Sequence, residues 1–286
     1  MEATNGEMIT DDQTNFLYLA DTLPKKYPKF HQWFEAVLND CGISYELLPG
    51  TKDIWARDYM PIQLAVDKFV KFVYNPDYLQ SKKWHKTITD TNAIIVYLGI
   101  NPKYTPLKVD GGNVVRASDK VIMCDKVFSE HHYLTEKFLI TELQQHLEVD
   151  QIIFIPTDPS DIIGHADGMV RFLDDRTVLI NDYSREKPQF QRTFRMALHN
   201  AGLEWVEIPY NPYSNQKPIQ ASGIYINYLQ MKDVVVVPVS NMKEDDAVVK
   251  QFERLFSGSR IATIDCSDIA NEGGILNCIS WNAKVL

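Results

Sequence analysis

Four short stretches of this 286-residue chain carry side chains that could do chemistry. Asn271-Glu272-Gly273-Gly274-Ile275-Leu276-Asn277-Cys278-Ile279-Ser280-Trp281 sets a cysteine in an apolar run just past a glycine pair. The others are Trp55-Ala56-Arg57-Asp58, Asp110-Gly111-Gly112-Asn113 and Gly164-His165-Ala166-Asp167. Glycines let a backbone approach a neighbour closely or turn through positive φ. A thiolate, an imidazole and several carboxylates suit covalent catalysis if they meet. Singly, each has a plainer reading. Free cysteine is among the most buried residue types, aromatics such as Trp55 dominate cores, and Asp110 could simply open a Gly-Gly turn. His165 could be a satisfied core histidine. Arg57 suits a structural ion pair, since its guanidinium is the preferred buried partner of a carboxylate. His131 and His132 read as a solvated helix start, and Cys41, Cys124 and Cys266 as core or surface thiols.

A repeat could bring the four stretches together. A motif-bearing strand, a polar turn, a very apolar strand, a helix and a short strand recur along the chain. The apolar strands start at Phe16, Phe69, Val121, Val178 and Val234, so successive starts lie 53, 52, 57 and 56 residues apart. A period near 50 residues is the mark of an array. Apolar residues at helical spacing predict helices at Phe30 to Leu38 and over 134–147, 189–201 and 245–256, with a less regular one over 87–98. Asp58, Asp110, Asp167 and Gly223 each stand 11 residues before the next apolar strand, and Asn227 stands 7 before Val234. Cys278, placed on a strand by its apolar neighbours, stands 7 before Val285, where a next strand would start. Pairing of the Phe16 strand with the Cys278 strand would close five units into a ring, which removes exposed sheet edges. Equivalent positions in a closed ring face one axis, so Asp58, Asp110, His165, Asp167 and Cys278 could share a pocket.

Composition narrows the partners. The chain is 45% hydrophobic and 23% charged, ordinary for a globular protein, with a net charge of −9. An acidic surface argues against nucleic acid and suits a cationic ligand. The N-terminus lacks the basic and apolar regions of an export signal, and no apolar run reaches membrane-spanning length. Four scattered cysteines without that signal read as reduced thiols, so a cytoplasmic location is expected.

Three acids around one pocket need a cation among them. A metal is one candidate, less favoured because no tight ligand cluster is present. A guanidinium is the better one, being planar, cationic and matched by carboxylates. Here the residues resemble a known family. Trp55-Ala56-Arg57-Asp58, Asp110-Gly111-Gly112-Asn113, Gly164-His165-Ala166-Asp167, Ile224-Tyr225-Ile226-Asn227-Tyr228 and Gly273-Gly274-Ile275-Leu276-Asn277-Cys278-Ile279 are similar, in order and over nearly the whole chain, to the agmatine deiminase family. That family includes bacterial peptidylarginine deiminases and belongs to the pentein group of guanidine-modifying enzymes.

The resemblance implies a five-bladed α/β propeller, one domain over residues 1–286, acting without metal or cofactor on a small cationic guanidino substrate. Neither membrane nor nucleic acid is expected as a partner, and assembly into a homo-oligomer is compatible with it. It implies that Cys278 is the nucleophile, His165 the general acid and base, Asp58 and Asp167 the guanidinium ligands, Trp55 a pocket wall and Asn227 a polar pocket residue. Asp110 stands where the family usually has a Glu that partners the histidine. Its shorter side chain calls for a shifted backbone or a less direct reach to His165. After the Trp55 motif the chain reads Tyr74-Asn75-Pro76-Asp77-Tyr78-Leu79-Gln80. This matches neither the Asn-Gly-Trp stretch of the agmatine branch nor the arginines of the peptidylarginine branch. Agmatine or a close analogue is the expected substrate, with peptidylarginine or free arginine as the alternative. Amidinotransfer and non-catalytic guanidine binding are the further alternatives.

Overall fold

A computed structural model describes residues 8–217 and 219–286; residues 1–7, read above for an export signal, lie outside it. Strand β1 (Phe16–Ala20) leads through the helix Pro28–Asp40 to β2 (Tyr45–Leu48). The second unit holds β3 (Ile62–Ala65), β4 (Lys68–Val73) and β5 (Lys103–Lys108), and the third β6 (Val115–Arg116), β7 (Lys120–Cys124) and β8 (Gln151–Ile155). The fourth holds β9 (Val170–Phe172), β10 (Thr177–Asn181) and β11 (Glu204–Ile208), and the fifth β12 (Leu229–Met231), β13 (Val234–Val239) and β14 (Arg260–Asp265). The last strand, β15 (Ser280–Ala283), returns to the first unit.

The result is five three-stranded blades, each with the same order. A first strand runs antiparallel to the middle one, and the middle strand runs parallel to the third. The parallel pair requires a crossover, and a helix supplies it in every blade. The first blade is built from both ends of the chain: β15 pairs antiparallel with β1, Leu17 opposite Asn282 and Leu19 opposite Ser280. The expected repeat and ring closure are therefore present.

Each long helix buries one stripe. Phe30, Phe34 and Leu38 face inward on Pro28–Asp40, and Leu139, Leu143 and Leu147 on Glu136–Leu147. Phe190, Phe194 and Leu198 do so on Pro188–Asn200, and Val248 and Phe252 on Asp245–Leu255. Residues four apart lie on one helix face, and that face covers the blade. The middle strands are buried on both sides, which explains continuous apolar runs such as Val234-Val235-Val236-Val237.

Three expectations need correcting. Cys278 is on a single helical turn, Leu276–Ile279, and the strand starts only at Ser280. The helix expected over 87–98 is Thr91–Leu98, preceded by a separate turn at Lys82–His85. His131 is buried at the end of the helix Lys126–Glu130: its Nε2 accepts from the Lys108 amide at 3.0 Å and its Nδ1 lies 2.8 Å from the Val127 carbonyl. Only His132 is exposed there. No helix among the described residues is long and apolar enough to cross a membrane.

Candidate active site

The chemistry-bearing residues sit where each blade's first strand is entered. Asp58 is in the turn Ala56–Tyr59, Asp110 precedes the turn Gly111–Asn113, and His165 precedes Ala166–Gly168, which contains Asp167. Asn227 precedes β12 and Cys278 precedes β15. Neighbouring turns touch around the ring, so residues 110 apart in sequence, such as Asp167 and Asn277, are hydrogen-bonded at 2.6 Å.

All seven residues singled out in the sequence are brought together. His165 Nε2 donates to Asp110 Oδ2 at 3.0 Å, and its Nδ1 lies 3.4 Å from Asp58 Oδ1. Asp58 Oδ1 also accepts from the Gly112 amide at 3.0 Å. On the facing side, Cys278 Sγ lies 3.7 Å from Asp167 Oδ2 and receives the Asn227 amide group at 3.3 Å. Asn227 Oδ1 accepts in turn from the backbone amides of Asn277 and Cys278, at 3.1 and 3.3 Å, and fixes the turn that carries the thiol. The glycines are used for close approach. A Cβ on Gly112 would meet His165 Nδ1 at 2.6 Å and Asp58 Oδ1 at 2.7 Å; one on Gly274 would meet the Trp55 ring at 2.5 Å and Cys278 Sγ at 3.0 Å. Trp55 thus stands beside Gly274, next to the thiol.

A cavity of about 480 Å³ opens onto His165, Asp167, Asn227 and Cys278. Asp58 and Asp110 are buried against the two ring nitrogens of His165. The outer wall comes from two loops, around Asp158 to Ile163 and Tyr210 to Ala221, with Asp158, Asp161 and Lys217 as their charged residues.

The electrostatics follow from burial and crowding. Burial works against a charge on His165, but Asp58 and the hydrogen-bonded Asp110 outweigh it and raise its pKa to about 9. Burial lifts Asp58 to about 7; His165 opposes this, while Asp110 and Asp167 add to it. Asp110 moves the other way. Burial would raise it, but its bond to His165 and the charges of His165, Lys126 and Lys108 hold it below the ordinary carboxylate value. Burial, then Asp167 and Asp58, push the Cys278 thiol well above its usual pKa. These directions favour a neutral thiol and an imidazolium paired with the Asp110 carboxylate. Among the described residues no group of three or more His, Cys, Asp or Glu is arranged to hold a metal ion.

Several residues of the site carried no role in the sequence reading. Asn277 joins Asp167 to Arg57, whose guanidinium donates to its Oδ1 at 3.0 Å and to its carbonyl at 3.3 Å. Asp161 accepts from the amides of Ile163 and His165 at 2.7 and 3.3 Å and shapes the loop before the histidine. Its place four residues ahead of His165 was the available signal. Lys126 has none: it follows a buried strand like any polar residue. Yet its Nζ lies 3.8 Å from Asp110 Oδ2, donates to the Ile163 carbonyl at 2.7 Å and stands over the Tyr78 ring at 5.4 Å. The Tyr78 hydroxyl reaches Asp110 Oδ2 at 3.5 Å. Asp110, though shorter than Glu, contacts His165 directly.

The described fold is similar to several solved structures. The Campylobacter jejuni enzyme named "C. Jejuni Agmatine Deiminase" superposes with a TM-score of 0.80 at 16% identity, over 97% of this chain and 95% of that one. An agmatine deiminase of Enterococcus faecalis gives 0.77 at 14%, over 98% and 96%. An amidinotransferase of the saxitoxin biosynthetic pathway, from Microseira wollei, gives 0.62 at 13%, over 98% and 97%. Likeness at such identity establishes the fold, the five-bladed pentein propeller. A search of curated protein sequences finds no significant match. A family model does match, over residues 27–283. The chain therefore belongs to the Porphyromonas-type peptidyl-arginine deiminase family.

Proposed function

We propose that the protein is a deiminase that hydrolyses a guanidinium group to a ureido group and ammonia through a covalent intermediate on Cys278. One observation carries this: the Cys278 thiol lies 3.7 Å from Asp167 in a cavity that His165 also lines, and His165 is itself set between Asp58 and Asp110. Burial, then Asp167 and Asp58, destabilise the Cys278 thiolate. A bound guanidinium reverses that field, and the thiol gives up its proton to solvent as the cation enters; that proton is the one the overall reaction releases with ammonia.

Asp58 and Asp167 hold guanidinium nitrogens by charge-assisted hydrogen bonds, with the Trp55 ring as a wall and Asn227 holding the thiol in line. Thiolate attack on the guanidinium carbon forms the C–S bond and a neutral tetrahedral adduct. His165, protonated through its two carboxylates, gives its proton to one amino nitrogen, and ammonia leaves as the C–N bond breaks. The neutral imidazole then takes a proton from the water that attacks the amidino-thioester. Collapse of the second adduct breaks the C–S bond, passes the hydroxyl proton to sulfur and leaves the ureido product. Asp110 acts through His165, by orienting the ring and stabilising its charge.

Agmatine or a close analogue fits the outer cavity best. Its charged lining is Asp158, Asp161 and Lys217, a balance that favours an ammonium tail over a carboxylate. Peptidylarginine is the second reading, favoured by the family match. Screening agmatine, free arginine, a peptide with C-terminal arginine and guanidine for ammonia and a ureido product tests both. Agmatine should be turned over fastest. Cys278→Ser should abolish release while leaving the melting temperature within a few degrees, and a haloacetamidine should label Cys278 in competition with substrate. Ammonia release retained in that variant, or an amidino group transferred to an amine instead of water, would overturn the proposal.

A further inference from the structure

The turn ahead of β1 sets a carboxylate among the blades of the ring. Asp11, in the short turn Asp11–Gln13 ahead of β1, accepts from Arg116 and Arg171, both at 2.6 Å, and lies 3.8 Å from Arg57. The Asn282 side chain also donates to it, at 3.3 Å. These four partners come from the third, fourth, second and first blades respectively. Arg171 reaches the fifth by donating to the Tyr228 carbonyl at 3.0 Å. One carboxylate thus faces three buried guanidinium groups at the centre of the ring. Uncompensated, like charges buried together are strongly unfavourable. Burial would raise the Asp11 pKa, but Arg116, Arg171 and Arg57 hold it far below the ordinary value.

The cluster does not end there. Arg57 is the same side chain that donates to the Asn277 carboxamide oxygen and carbonyl. Asn277 in turn donates to Asp167 and immediately precedes Cys278. A continuous path of hydrogen bonds and ion pairs therefore runs from Asp11 through Arg57 and Asn277 to the nucleophile turn. Without the Asp11 charge, Arg57 would lose its buried counter-ion and be left facing the like charges of Arg116 and Arg171.

We propose that Asp11 is a positioning residue for the reaction: its carboxylate holds Arg57 in place, and Arg57 with Asn277 fixes Asp167 and Cys278 for attack. This role rests on the deiminase reading above, but its test has an independent readout, the rate at which a haloacetamidine alkylates Cys278. Asp11→Asn keeps shape and removes charge; Asn277→Ala cuts the path farther along. Each should lower both alkylation and kcat/KM tenfold or more in protein shown to be folded by circular dichroism. Because the two act in series, the double variant should be little slower than the worse single one, a coupling that independent sites do not show. Asp11→Ala opens onto a cavity of about 350 Å³ lined by Arg116 and Arg171. There, millimolar acetate should restore alkylation, and should not do so in the native protein or in Asn277→Ala. Native alkylation in Asp11→Asn, or losses that multiply in the double variant, would overturn the proposal. Should Asp11→Asn not fold, acetate-dependent folding of Asp11→Ala without recovery of alkylation would overturn it equally. If no guanidine yields ammonia, the deiminase reading falls, while the alkylation cycle still decides the role of Asp11.

Discussion

His165 is the residue on which pH dependence should turn. Two carboxylates raise its pKa to about 9 against burial, and Lys126 pulls the other way. In the proposed mechanism the imidazolium must donate to the leaving nitrogen, so activity is lost as pH rises through that value. A neighbouring carboxylate stabilises the charged ring, so Asp110→Asn should move the basic limb of kcat/KM to lower pH. A hydrogen bond to a charged group is worth about 1.5–3 kcal/mol, or roughly one to two pH units. Lys126→Met removes a like charge and should move the same limb to higher pH. Opposite displacements in two pH–rate profiles are the expected result; a uniform fall in activity with both limbs in place would make Asp110 a turn residue only. The acidic limb reports ionisation of Asp58, raised to about 7 by burial despite His165, with Asp110 and Asp167 adding to the rise. Because these groups interact, both limbs are properties of the cluster.

At the scale of elements, the site is held by single turns, and these were the hardest features to read. The long helices were legible because Phe30, Phe34 and Leu38, or Phe190, Phe194 and Leu198, repeat at one-face spacing over three turns. Ile275-Leu276-Asn277-Cys278-Ile279 offers no such repeat. A buried turn and a buried strand of that length have the same apolar signature, and the Asn227 bonds to the Asn277 and Cys278 amides decide for the turn. His131 was misread for a related reason: its two ring nitrogens are satisfied by backbone groups that sequence does not pair with it. The glycine pairs, by contrast, announced close approach correctly. Gly274→Ala tests how tightly the thiol turn is held. Its φ is not in the left-handed region, so the cost is the clash of the new methyl with Trp55 and Cys278 rather than backbone strain. A shift of the sulfur by a fraction of an ångström should lower kcat/KM about 10- to 100-fold, near 1.4–2.7 kcal/mol in the barrier. The melting temperature should change little. Native kinetics in this variant would mean that the turn has slack.

At the scale of the molecule, closure is the property that makes distant residues neighbours. The five-unit spacing and the pairing of first and last strands were visible in the sequence, because apolar middle strands recur at a nearly fixed interval. The arginine cluster around Asp11 was not, since its hydrogen-bonded arginines lie 105 and 160 residues away and no pattern marks them. The first blade has the same strand order as the others but lacks a direct chain connection between its first and middle strands. In its place, the Asn15 side chain donates to the Val285 carbonyl at 2.8 Å and accepts from the Val285 amide at 2.7 Å, just beyond the β15–β1 pairs. A permutant that joins residue 286 to residue 1 and opens the chain between Asp67 and Lys68 should therefore fold. That turn is exposed and merely connects β3 to β4, as the new link would connect β15 to β1. Its melting temperature should lie within several degrees of the parent, and its ammonia release within about tenfold, by the transition-state relation. Leu19→Pro is the counterpart. Leu19 is buried and paired on both sides, to Leu47 and to Ser280, so proline there removes a central donor and breaks closure without cutting the chain. It should cost 3 kcal/mol or more, roughly the penalty of an interior proline, and unfold the ring in one transition seen together by circular dichroism and activity. A stable Leu19→Pro protein, or a permutant that loses structure in the first two blades alone, would show that the blades stand independently and that closure is not what holds Asp58, His165 and Cys278 around one cavity.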